Sequence, residues 1–210
     1  MKNLIVWSLF LLVFTTLPAA AKEAVAIVSS ILIVEDSNTP NTSKTLDESK
    51  DLNAAKTLTI IRAGKTIVVS ENDSLEAGDV VDTANKTVSL KTPGGSSWKL
   101  ENATKFSVHS ATKDGKPVYV FLEGTAIYTG EKAGVSIIKI KDKDYTIGAG
   151  ASVTFFRGAE LDPITSITIE SGTLTIGKQE FHHSGKSITI DAQGNVKTNT
   201  DEIKRRGIRG

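Results

Sequence analysis

Cysteine is absent from all 210 residues. Its absence excludes disulfides, cysteine nucleophiles, thiolate metal ligands and the lipoprotein route that acylates a cysteine. Net charge is nearly absent as well, with 25 Lys and Arg against 24 Asp and Glu. Such a chain has no long-range field to draw it to DNA or to an anionic membrane, and nucleic acid is not an expected partner. A second long apolar run is missing: beyond residues 4–14 no stretch is long enough to suggest a span, which needs about 20 apolar residues. The Gly-x-Ser-x-Gly elbow of many serine hydrolases is missing too.

What is present begins with an export signal. Lys2 gives a positive start, LIVWSLFLLVF (4–14) an apolar stretch, Pro18 a helix break, and Ala19, Ala20 and Ala21 the small side chains a signal peptidase accommodates. Residues 1–21 are read as a cleaved signal, with a mature chain starting at Lys22 in the periplasm or outside the cell and no stable membrane anchor after cleavage. An uncleaved anchor is the alternative. Removing 21 of 210 residues leaves 189, enough for one domain that buries its own core.

Along that mature chain the dominant pattern is alternation with period two, the mark of half-buried strands. The alternating pairs are Trp98 and Leu100, Phe106 and Val108, Ile138 and Ile140, Val153 and Phe155, Ile167 and Ile169, Leu174 and Ile176, and Ile188 and Ile190. Val118, Val120 and Leu122 are read as sharing a further face. Turn chemistry separates the strands at Ala63-Gly64, Pro93-Gly94-Gly95, Asp114-Gly115, Glu123-Gly124, Ser171-Gly172, Ser184-Gly185 and Gln193-Gly194. The expected fold is all-β: a compact sandwich or roll of short antiparallel strands, with solenoid-like stacked hairpins as its variant. LEGTAIY (122–128) and IESGTLTI (169–176) form a weak internal echo. Residues 22–57 are read as an N-terminal strand and a polar loop (35–56, with a short helix at 46–56), 58–198 as the β domain, and 199–210 as a disordered basic tail.

The candidate chemistry is thin. His182 and His183 are adjacent, and neighbours on a strand point to opposite faces, so they do not converge on one ion. SGKS (184–187) has Glu180 where a phosphate-binding loop needs glycine, and a strand follows it in place of a helix. VVDTAN (80–85) resembles the aspartic-protease turn, but Ala84 replaces the glycine and only a dimer could supply a second Asp82. A small dimeric hydrolase using Asp82 is the weakest alternative. Neither a catalytic residue nor a cofactor nor a metal is expected.

One stretch points to a family. In LEAGDVVDTANKTVSLKTPGGSSWKLENATKFSV (75–108), Gly78, Asp79 and Thr83 stand in an order that resembles the first half of a FecR domain. The strand with Gly124 in VYVFLEGTAIY (118–128) and the turn with Gly150 in YTIGAGASVTFF (145–156) are similar to its later segments. ITIESGTLTI (167–176), with Gly172, is similar to its closing strand. The resemblance covers about residues 58–192 and extends to the strand at 24–34. It implies a periplasmic, non-enzymatic all-β module of a Gram-negative bacterium, working by contact with an envelope protein or a cell-wall glycan. Gly78, Asp79, Thr83, Gly124, Gly150 and Gly172 are then structural. The best-known members also carry a cytoplasmic region and a membrane helix, whereas three residues precede the apolar run here. Sigma-factor contact is therefore not carried over, and a membrane-anchored regulator of the anti-sigma type stands as the alternative. The strand pair 172–191 is the expected exposed edge, because the chain stops soon after it.

Overall fold

The structure, a computed structural model, describes residues 24–33, 56–131, 134–141, 143–159, 164–182 and 187–199. The expected export signal, the expected polar loop and short helix as far as residue 55, His183, residues 184–186 and the expected tail from residue 200 lie outside the described residues. Among those described there is no helix. Seventeen strands follow one another: β1 (Ala24–Ile33), β2 (Thr57–Arg62), β3 (Lys65–Ser70), β4 (Ser74–Glu76), β5 (Val80–Asp82), β6 (Lys86–Lys91), β7 (Ser97–Leu100), β8 (Lys105–His109) and β9 (Val118–Thr129). Then come β10 (Ser136–Ile140), β11 (Lys143–Ile147), β12 (Ser152–Arg157), β13 (Thr165–Ser171), β14 (Thr173–Ile176), β15 (Gln179–His182), β16 (Ser187–Ile190) and β17 (Val196–Asn199).

Hydrogen bonding joins these strands into one continuous mixed sheet that does not close into a barrel. It is folded over into two layers at β9. One layer runs β4-β1-β6-β7-β9-β12-β13-β16-β17. The other runs β3-β2-β5-β8-β9-β10-β11-β14-β15. The first half of β9 pairs in the second layer and its last half in the first. All pairings are antiparallel except β9 with β10, which is parallel. From β10 onward the chain lays down hairpins alternately in the two layers, which is the stacked arrangement the turn spacing suggested.

Alternation produces this arrangement because every second side chain enters the space between the layers. Trp98 of β7 lies at the centre, its ring 4.9 Å from Phe106, 5.2 Å from Tyr119 and 4.9 Å from Tyr128. Phe106 and Tyr119 come from the opposite layer, so these rings tie the two sheets face to face. The seven alternating pairs named from the sequence are all buried. β1 belongs to the same body: it pairs with β4 and β6, and Ala26, Val28 and Ile31 enter the common core.

Three readings need correction. On β9 the core residues are Tyr119 and Phe121, while Val120 is half-buried and Leu122 is 40% exposed. Further along the same strand Ala126 and Tyr128 are buried, so the inward phase shifts by one residue between Phe121 and Ala126. That shift requires an irregularity, and the pairing with β8 breaks register at Lys105/Phe106. Glu123-Gly124 is accordingly the bend inside β9 and not a turn between strands. Finally, β16 is covered by β17, and β14 lies between β11 and β15. Among the described residues the edges are β3 and β15 in one layer and β4 and β17 in the other. The edge expected at 172–191 therefore narrows to β15, and Thr198 belongs to β17.

The outward faces differ. On the β9-β12-β13-β16 part of the first layer, the registers align Ile127, Thr154, Thr168 and Ser187 in one cross-strand row, and Thr125, Phe156, Ser166 and Thr189 in the next. These side chains are half-buried, except Phe156, which is 53% exposed.

Candidate functional site: a cavity among the connecting loops

The resembled motif residues are placed first, because they hold the loops. Asp79 follows Gly78, whose φ of +97° favours glycine. The Asp79 carboxylate is fully buried. Its Oδ2 accepts the Glu76 backbone N–H at 2.8 Å, and both oxygens accept from Arg62, at 2.8 Å from Nε and 2.7 Å from Nη2. Arg62 also reaches Glu76 Oε1 at 2.8 Å and the Ser74 carbonyl at 3.1 Å. The Asp79 hydrogen bond, with the neighbouring carboxylates, raises the Arg62 pKa further above its ordinary value. The two-pronged geometry suits a guanidinium. Arg62 escaped the sequence reading; its signal was a cation ending an alternating strand just before Ala63-Gly64.

Thr83 is buried and stitches the next connection. Its hydroxyl donates to the Glu101 carbonyl at 2.7 Å and accepts the Thr104 N–H at 2.9 Å. Thr104 does the same for β9: its hydroxyl donates to the Thr125 carbonyl and accepts the Thr125 N–H, both at 3.0 Å. Gly124 bends directly over Thr104. Gly172 has a φ of +76° and lies where the chain leaves β13 in one layer for β14 in the other. The echo between 122–128 and 169–176 thus marks two places where a positive-φ glycine carries the chain between layers. Gly150 (φ +67°) sits in the turn from β11 to β12. These six positions shape backbone and do not converge on a common point. Asp82 is exposed, and its Oδ1 accepts the Ala84 N–H at 3.1 Å, closing a turn. His182, also exposed, lies 3.5 Å from Glu180 on the edge strand β15.

The concavity lies elsewhere, at one end of the sandwich. A cavity of about 650 Å³ opens among Val25 at the start of β1, Ala77 after β4, residues 92–96 between β6 and β7, residues 110–117 between β8 and β9, and residues 134–136 at β10. Its volume is in the range of ligand sites. Val25, Ala77, Pro93, Ala111, Pro117 and Val135 make apolar walls, while Thr92, Ser96, Ser110 and Ser136 add hydroxyls. The floor is braced from the core: the Tyr128 hydroxyl donates to Ser96 Oγ at 3.0 Å and lies 2.8 Å from Ser136 Oγ. Ser96 Oγ also accepts the Glu131 N–H at 3.2 Å. Asp114 and Lys116 supply charge on one connecting loop. No group of three or more His, Asp or Glu able to hold a metal ion occurs among the described residues.

Behind Thr92 lies a polar pair with unmet demand. The Tyr119 hydroxyl and the Trp98 indole N–H are buried beside each other and near Thr92, and neither makes a well-formed hydrogen bond. Burial pushes the Tyr119 pKa strongly upward, and burial also raises that of Tyr145. In the unfolded chain a tyrosine ionises near pH 10, whereas here the folded state resists ionisation. Stability is therefore complete below about pH 10 and falls as pH rises above it, by at most about 1.4 kcal/mol per pH unit for each such tyrosine. Tyr119→Phe should leave stability at neutral pH unchanged or higher, because the lost hydroxyl makes no well-formed hydrogen bond to offset its burial. It should also flatten the alkaline decline, as measured by denaturant melts from pH 8 to 11.

No family model, no curated protein and no solved structure matches the chain.

Proposed function

We propose that the protein is a non-catalytic recognition module of the bacterial cell envelope, exported to the periplasm or beyond and of the FecR-domain type. Its loop-end cavity receives a segment of an envelope protein. The observation that carries this reading is the cavity itself: about 650 Å³, apolar-walled, lined with hydroxyls and braced from the core through Tyr128. A pre-formed floor spares the binder the entropy of ordering it. Small apolar walls suit the side chains of a peptide, and the hydroxyls suit its backbone groups. The order of Gly78, Asp79 and Thr83 carries the family resemblance, and the Lys2-to-Ala21 pattern supports export.

The test fills the cavity. Ala111→Trp and Ala77→Trp place bulk on its walls at positions that are not fully buried, so folding should survive. Affinity capture from envelope extracts should return a partner with the wild-type protein and lose it, by about tenfold or more, with either variant. Equal capture by both folded variants would remove the cavity from the account.

A further inference from the structure

The four sheet edges differ in how they are guarded. β4 has three residues and ends in Glu76, whose carboxylate is held by Arg62. β15 carries exposed Glu180 and His182, and β17 carries Lys197. Short length and charge are ordinary devices that keep an edge from pairing with another chain. β3 has neither. At six residues it is the longest of the four edges. Its middle residues Thr66, Ile67, Val68 and Val69 bear no charge and include no proline, and its register with β2 runs without a bulge.

The backbone of this edge selects its partner. The Ala63-Gly64 turn closes on Arg62 and Lys65, and hydrogen-bonded pairs alternate along the hairpin from there. Lys65, Ile67 and Val69 therefore direct their N–H and C=O groups to β2, while Thr66, Val68 and Ser70 direct theirs away from it. Ser70 is already satisfied: its N–H donates to Asp73 Oδ2 at 2.7 Å, and its carbonyl accepts the Asp73 N–H at 3.1 Å. The groups of Thr66 and Val68 face no strand among the described residues. An antiparallel strand with donors and acceptors at the same spacing matches them, and β3 of a second copy is such a strand. With Ile67 opposite Ile67 at a two-fold axis, Thr66 of each copy faces Val68 of the other, and both are doubly hydrogen-bonded pairs. All the groups that Thr66 and Val68 offer are then used, and the Asp73 turn is left intact. A register centred on Val68 would instead demand the engaged groups of Ser70. The charges agree with the antiparallel sense. Lys65 stands at the start of β3, and Glu71 and Asp73 stand just past its end. Antiparallel pairing brings each cation to the carboxylate end of the other copy, whereas parallel pairing would set like beside like. We propose that β3 is a homodimer seam, pairing antiparallel with β3 of a second copy about a two-fold axis at Ile67 and joining the two sandwiches through one continuous layer.

The experiment is sedimentation velocity of the chain purified after export. A seam of one short strand per copy lies at the small end of specific interfaces, so wild type should pass from monomer to dimer with a Kd of about 1–100 μM. Val68→Pro removes a donor from each copy and nothing from the β2 ladder, because the Val68 N–H points away from β2. It should weaken the dimer about tenfold or more, as should Val68→Lys, which alters no backbone group. Both should melt near wild type. Glu180→Pro makes the same change on the charged edge β15 and should dimerise like wild type. Ala111→Trp should do so too, which keeps this test apart from that of the cavity. The register has its own readout in a chain without cysteine. Under oxidised glutathione, Ile67→Cys should cross-link to a second copy and Glu180→Cys should not. Three outcomes overturn the proposal: wild type still monomeric at about 300 μM, folded Val68→Pro and Val68→Lys dimerising as tightly as wild type, or Ile67→Cys cross-linking no better than Glu180→Cys.

Discussion

Asp79→Ala is expected to destabilise the folded protein by about 3–5 kcal/mol, the effect of breaking a buried ion pair by removing one partner. The carboxylate is fully buried and accepts three hydrogen bonds, two from Arg62 and one from the Glu76 N–H. Its loss strands the guanidinium beside Glu76 and frees a backbone donor in the turn that leads from β4 to β5. Arg62→Ala is the complementary change, and it leaves a buried carboxylate with only the Glu76 N–H to satisfy it. Its effect should be of similar size, even though Arg62 itself is partly exposed. The double variant should cost less than the sum of the two, because neither charge is then left alone. Urea unfolding at neutral pH measures all three. A loss below about 1 kcal/mol for Asp79→Ala would place the pair among ordinary surface ion pairs and remove it as the anchor of the turn.

Gly124→Ala should be nearly as damaging, at about 2–5 kcal/mol, the sum of a strained φ and an overpacked contact. The φ of +97° is one that L residues rarely adopt. A Cβ there would lie 2.4 Å from Thr104 Oγ1 and 2.5 Å from its Cα. The second distance is to backbone, which cannot swing aside, and the hydroxyl is already engaged with Thr125. Gly150→Ala is the control: its φ of +67° is also positive, but nothing lies within 4 Å of the added carbon. It should cost only about 1 kcal/mol, the backbone term alone. Thermal melts of the two variants side by side check this. Equal losses would mean that contact with Thr104 contributes nothing and that β9 can relax its bend.

Much of the architecture could be read before any coordinates. Pairs such as Val153 and Phe155 or Ile188 and Ile190 alternate with polar residues, and a strand with one wet face leaves little freedom about which side goes inward. Ala63-Gly64 was legible as a turn between two strands from its glycine, and the structure makes it a tight hairpin in which both residues take positive φ, at +49° and +75°. The same reasoning failed on β9. Its residues 118–122 are apolar at every position, so alternation has no polar phase to lock onto, and the choice of Tyr119 and Phe121 came from the aromatic cluster around Trp98. Gly124 looked like every other Gly after a polar residue. That it bends a single long strand from one layer to the other depends on Thr104 lying beneath it, 20 residues earlier in the chain.

The amino-acid order by itself determined the class of fold, the strand inventory over most of the chain and the inward residues wherever polar neighbours alternate with them, because these are local consequences of period and turn chemistry. It also carried the Gly78, Asp79 and Thr83 pattern. Only the tertiary structure decided which strands became edges, that Arg62 is the partner of Asp79, that five separate segments of the chain gather around one cavity, and that Phe156 stands among rows of hydroxyls. Each of these depends on pairing between segments far apart in sequence. The register of such pairs is fixed by the whole buried face at once, and no window of neighbouring residues contains that information.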